Sequence, residues 1–154
     1  MTALIESKPL AMTASAECSP GLWQRLTDRH MPFQLAVDEL RQDEGALAEI
    51  RQTLPALERH CEPCGPKAVI GVLTPMVTLY GVQDRSEAEW RTFWGFYTRA
   101  LGDLPLEALK RGVEDYVAAA DSEFFPKPGP LKAMCERHAI PMRTALGRSR
   151  RAAA

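Results

Sequence analysis

The chain predicts an all-α fold: a small helical bundle, preceded by a helical N-terminal arm and followed by a basic, flexible C-terminal tail. Three observations predict it. Apolar residues recur at helical spacing in several stretches, among them Val37, Leu40, Leu47, Ile50 and Leu54, and later Trp90, Phe93, Trp94, Tyr97 and Leu101. The tetrad Ser86-Glu87-Ala88-Glu89 has capping-box form and marks a helix start. No pair of alternating runs is joined by a hairpin turn, and no internal repeat is present.

The elements follow in order. Residues 1–19 hold no apolar period and contain the small, polar run Thr13-Ala14-Ser15-Ala16, so they are expected to form a disordered lead. A helical arm is expected over 20–62. Pro20 suits a first helical turn ahead of Leu22, Trp23 and Leu26, and Pro32 interrupts that helix. The stretch from Val37 to His60 is rich in Glu, Arg, Gln and Ala, with Gly45 weakening it and Pro55 set either to kink it or to restart the first turn of another helix.

Cys61-Glu62-Pro63-Cys64-Gly65-Pro66 is the clearest punctuation, and the bundle domain is placed at 66–140. Its first element carries Val69, Val72, Leu73, Met76, Leu79 and Tyr80 at helical spacing, with a strand as the competing reading of its β-branched residues, and stops at Gly81. The capping box opens the aromatic helix, which ends at Gly102. Pro105 opens a third, with Leu106, Leu109, Val113, Tyr116 and Val117 inward. After the turn at Phe124 to Gly129, Pro130 starts a last helix with Leu131, Met134, Cys135 and His138 on one side. Pro141 is expected to end it, leaving 141–154 as the basic tail.

Composition sets bounds on function. The chain has 154 residues, 45% of them hydrophobic and 25% charged, an ordinary globular balance for a single domain. With 19 Lys+Arg against 20 Asp+Glu, a surface devoted wholly to nucleic acid is disfavoured. Four cysteines are too few for a disulfide framework, residues 1–10 do not read as a signal peptide, and no run approaches the roughly 18 apolar residues of a membrane span. The expectation is a cytoplasmic protein with no membrane partner. There is no Gly-rich phosphate loop, no His-Glu-x-x-His and no Gly-x-Ser-x-Gly, so no enzymatic activity is expected.

Two patterns remain as candidate sites. Cys61-x-x-Cys64 and Cys135-x-x-His138 together supply a Cys3His ligand set for zinc, the one cofactor under consideration. The competing reading makes Cys135 and His138 part of the helix stripe with Leu131 and Met134. The second pattern is the cluster of cations at the C-terminal end: Lys127, Arg137, Arg143, Arg148, Arg150 and Arg151. Those beyond Pro141 lie in a stretch without an acid. They are the candidate contacts for an acidic protein partner or for DNA. The aromatic stripe from Trp90 to Tyr97 is expected to be core, with base stacking as the competing role.

One stretch carries a resemblance. Glu89-Trp90 and Tyr97 lie on the aromatic helix, followed by Leu101-x-x-Leu104-Pro105, then Ala108 and Tyr116, then Phe124-Phe125-Pro126 and Leu131. Over about residues 87–139 this order resembles small helical phage and prophage proteins, including the phage replicative helicase loader and inhibitor family. The resemblance implies a non-enzymatic, replication-associated adaptor that binds a ring-shaped replicative helicase. It also implies that a flexible segment after Pro141 reaches the helicase. The alternatives are a small zinc-binding interaction module and a DNA-binding regulator.

Overall fold

The computed structural model describes residues 13–154. A short 3-10 turn, Ala14–Glu17, is followed by seven α-helices among the described residues: α1 (Pro20–Thr27), α2 (Phe33–Gln42), α3 (Glu44–His60), α4 (Gly65–Leu79), α5 (Glu87–Leu101), α6 (Leu106–Ala118) and α7 (Pro128–Ala153). The all-α bundle expected from periodicity is what forms.

Helix starts follow local chemistry. The Ser19 hydroxyl accepts from the Leu22 amide, with Pro20 at the first helical position of α1. At α5 the capping box is complete: Glu89 donates its amide to the Ser86 hydroxyl, and its carboxylate accepts from the Ser86 amide at 2.7 Å. That backbone contact holds the Glu89 carboxyl below its ordinary value. α4 ends in a Schellman arrangement. Gly81 takes a φ of +60°, its amide bonds to the Thr78 carbonyl, and the Val82 amide bonds to the Val77 carbonyl.

The 37–60 stretch is two helices, not one. Asp43 closes α2 and caps α3, accepting from the Ala46 amide at 3.0 Å while its other oxygen meets Arg25 at 2.8 Å. The Ala46 amide first, then Arg25, hold its carboxyl below the usual carboxylate range. Pro55 does not break α3, nor Pro75 α4.

Three expectations about the periphery are corrected. The 20–62 segment is no appendage: Leu22, Leu26, Val37, Leu40, Ile50 and Leu57 join the same buried cluster as Leu73, Leu101, Leu109 and Leu131. Its apolar stripe needed a surface to cover it, and α7 supplies one. Residues 13–19 of the expected lead are likewise ordered, with Ala14 and Cys18 buried; residues 1–12 lie outside the described residues.

The third correction concerns the tail. α7 continues through Pro141 to Ala153, so 141–154 is neither flexible nor separate. Proline in a helix interior costs ~3 kcal/mol. Here the turn beyond it buries Met142 and Ala145, and the following turns bury Arg148, Ser149 and Ala152, which offsets that cost.

α7 is the spine. It packs on α6, α3, α1, α2 and α5, while α4 lies against α5 and α6. The turn at 61–64 and the start of α4 are pinned to the α5–α6 turn. Pro63 bridges Pro105, the Cys64 amide bonds to the Leu104 carbonyl at 2.9 Å, and the Gly65 amide bonds to the Gly102 carbonyl at 3.0 Å.

Candidate functional site

The Cys3His set does not assemble. The Cys61 thiol points at the Met142 carbonyl, Cys64 at the Leu101 carbonyl and Cys135 at the Leu109 carbonyl. His138 pairs instead with Asp115 through Nε2, on the solvent side of the α6–α7 seam. Among the described residues no group of three or more His, Cys, Asp or Glu side chains is placed to hold a metal. Burial pushes the Cys61 thiol up to about 11 and the Cys135 thiol up to about 12, away from the thiolate that metal binding needs. The spacing of each pair suits a metal, but Cys135 faces inward on α7 while His138 sits three residues on, at the helix flank.

The expected cationic contacts divide in the same way. Arg148 is only 2% exposed. Its guanidinium donates to the carbonyls of Arg25, Leu26 and Met31 at 3.1, 3.2 and 2.7 Å and lies over the Phe33 ring. It closes the C-terminal end of α1, where exposed carbonyls favour a cation. Arg143 bonds to Glu136 at 2.8 Å, and Arg150 to Glu58 at 3.0 Å. Arg151 is exposed, and its carbonyl accepts from Arg41. Lys127 precedes α7 and is exposed, as is Arg137. Structural duty therefore claims Arg148 outright and ties Arg143 and Arg150 to acids on the protein itself.

The aromatic helix is where the surface is unusual. Tyr97 and Leu101 are buried, and Phe93 and Trp94 pack partly against the core. Phe125 inserts from the α6–α7 loop among Tyr80, Phe93 and Tyr97, with ring centroids 6.2, 5.5 and 5.4 Å away. Two tyrosines fasten that loop: Tyr97 donates to the Pro126 carbonyl and Tyr116 to the Phe124 carbonyl, both at 2.6 Å. Burial raises the Tyr97 hydroxyl above its ordinary value, so it stays a donor.

The stripe is thus core at its C-terminal end and surface at its N-terminal end. On the outer side Phe96 is 57% exposed, and Phe124, beside the inserted Phe125, is 76% exposed. The Arg85 guanidinium lies 5.0 Å from the Phe93 ring centroid and 5.7 Å from that of Trp90; the Arg99 guanidinium lies 5.3 Å from that of Phe96. Neither arginine joins an ion pair among the described residues, whereas neighbouring Arg91 does, with Glu87. A shallow depression along the helix is lined by Arg85, Phe93 and Phe96. Phe96 is absent from the sequence stripe because it falls outside the 90–93–94–97 phase, and that displacement is the signal that would have found it.

No protein-family model, curated protein or solved structure matches the chain. No helix among the described residues is long and apolar enough to cross a membrane.

Proposed function

We propose that the chain is a non-enzymatic adaptor of the phage or prophage replication type, acting by protein–protein contact on a replicative helicase. The observation that supports it is the outer side of α5, where exposed Phe96 lies against the Arg99 guanidinium and shares a shallow depression with Arg85, while Phe124 in the α6–α7 loop is also exposed. Exposed aromatics paired with arginines are the residue types that carry interface energy. Phe96, Arg99 and Phe124 belong to the 87–139 stretch whose order resembles the helicase loader and inhibitor proteins. Of the C-terminal arginines, Arg148 is consumed by the fold and Arg143 and Arg150 are paired with Glu136 and Glu58, so the contact proposed here is centred on α5.

The experiment uses the purified full chain and the purified hexameric helicase of the host, with association followed by sedimentation velocity. Phe96→Asp and Arg99→Glu are each expected to weaken association about tenfold or more, with far-UV circular dichroism unchanged. Absence of association with the helicase would overturn the helicase reading. Association indifferent to both substitutions would remove α5 from it.

A further inference from the structure

We propose, resting on the helicase reading, that Phe124 is the anchor of the contact and enters an apolar pocket of the partner rimmed by lysine or arginine. Phe124 and Phe125 are neighbours of one residue type, yet the fold treats them oppositely. Phe125 lies among Tyr80, Phe93 and Tyr97. Phe124 is 76% exposed, the most exposed of the large hydrophobic side chains among the described residues. Pro126 restrains Phe125 to extended backbone, and successive side chains on such a backbone point to opposite sides. Insertion of Phe125 therefore turns Phe124 outward. The fold dictates that direction but not the residue, since a serine at 124 would meet the same backbone. A phenyl ring there presents a large apolar area that gains by leaving water.

The backbone that carries the ring is fastened on both sides. Tyr116 donates to the carbonyl of Phe124 itself and Tyr97 to that of Pro126, each at 2.6 Å. The Ser122 hydroxyl donates to the Ala119 carbonyl at 2.8 Å. A backbone fixed before binding lowers the ordering cost of a contact. Phe125 also seats the loop against Phe93 and Tyr97 of α5, which joins the anchor to the α5 surface. Charge narrows what the ring enters. Residues 114–123 hold four carboxylates, Glu114, Asp115, Asp121 and Glu123, and no cation. Asp115 pairs with His138. The other three are exposed and join no ion pair among the described residues. Lys127 follows only beyond Pro126, and Arg85 lies over the Trp90 and Phe93 rings. Phosphates are repelled by such a frame. A second copy meeting this one about a two-fold axis at Phe124 would set the same acids against each other. A pocket with a cationic rim satisfies both the ring and the acids.

The test is sedimentation velocity of the purified full chain, alone and with the purified hexameric host helicase, at low and high salt. The parent chain is expected to associate, less tightly as salt screens the acids. Phe124→Ser is expected to weaken association about tenfold with the thermal midpoint unchanged. Neutralising two acids together, Asp121→Asn with Glu123→Gln, is expected to weaken it about threefold at low salt and to flatten the salt dependence. Tyr116→Phe keeps its ring and loses the bond to the Phe124 carbonyl. It is expected to weaken the parent about threefold and to add nothing in Phe124→Ser, a non-additivity that a merely structural tyrosine would not give. No association of the parent overturns the helicase reading and the anchor with it. Association weakened by Phe96→Asp but not by Phe124→Ser overturns the anchor and leaves the α5 contact standing. Association that holds or tightens when the acids are neutralised overturns the cationic pocket. A parent that dimerises on its own and becomes monomeric on Phe124→Ser places a second copy on the ring and overturns the proposal.

Discussion

Arg148 carries a charge into the core with no carboxylate to meet it; main-chain carbonyls at the end of α1 and in the loop beyond are its partners, and its Nε has none. Removing the guanidinium strands those carbonyls and opens space beside Phe33. Arg148→Ala is therefore expected to cost about 3 kcal/mol in urea unfolding, against less than about 0.5 kcal/mol for Arg151→Ala. In the sequence the two arginines are indistinguishable by type. They differ in phase: Ala145, Arg148, Ser149 and Ala152 recur at helical spacing and all are buried. Small residues make that stripe faint to a hydrophobicity reading, which is why the whole segment reads as a solvated tail. The thiols yield a second prediction at this scale. Burial holds Cys61 and Cys135 in the neutral form, with values raised from 9.0 to about 11 and about 12. The unfolded chain ionises first as pH rises, so the stability from the buried neutral thiols is fully present below about pH 9 and is lost as pH climbs toward 12. Urea midpoints measured from pH 8 to pH 10.5 are expected to fall; a flat profile would contradict this burial.

Helix boundaries are legible where one residue's chemistry sets them, as at Ser86, Gly81 and Pro20. They are illegible where packing decides, as at Pro55, Pro75 and Pro141, each of which lies inside a helix. The α6–α7 seam shows packing at its tightest. A Cβ on Gly112 would lie 2.3 Å from the Cys135 Sγ, 2.6 Å from its Cα and 2.8 Å from its nitrogen. Rotating the thiol away relieves only the first of these, so the two helices must separate. Gly112→Ala is expected to destabilise by about 3 kcal/mol or more, although alanine is the better helix former by ~1 kcal/mol. Thermal unfolding of the single variant checks it, and a stabilised variant would mean the helices are not in this contact. The same closeness explains the failed zinc set. Cys135 is committed to the seam, and a cysteine spacing motif carries no information about which way its helix faces.

At the scale of the molecule, the chain returns at its end to cover its beginning. Composition divides it into lead, arm, bundle and tail, because each stretch has its own character. The fold joins them because the stripes of α1, α2 and α3 are completed only by α7. Such long-range closure leaves no local mark, whereas α4 and α6 each pack on the helix that follows in sequence, α5 and α7. A tail that merely reached for a partner could be removed at no structural cost. Residues 142–154 instead supply buried Met142, Ala145, Arg148, Ser149 and Ala152, along with the guanidinium that closes α1 and the Arg150–Glu58 pair. Burying an aliphatic or methionine side chain is worth ~1.5–3 kcal/mol, and domains of this size are stable by only ~5–15 kcal/mol. A chain ending at Pro141 is therefore expected to lose more helicity by circular dichroism than the 13 absent residues account for. Limited proteolysis of it is expected to cut first within residues 20–42, where α1 and α2 lose their cover. Loss of partner binding in that truncation would report unfolding of the N-terminal layer rather than a deleted contact. A truncated chain that unfolds cooperatively at the parent's midpoint would refute α7 as the spine of the fold and restore the tail as a separate limb.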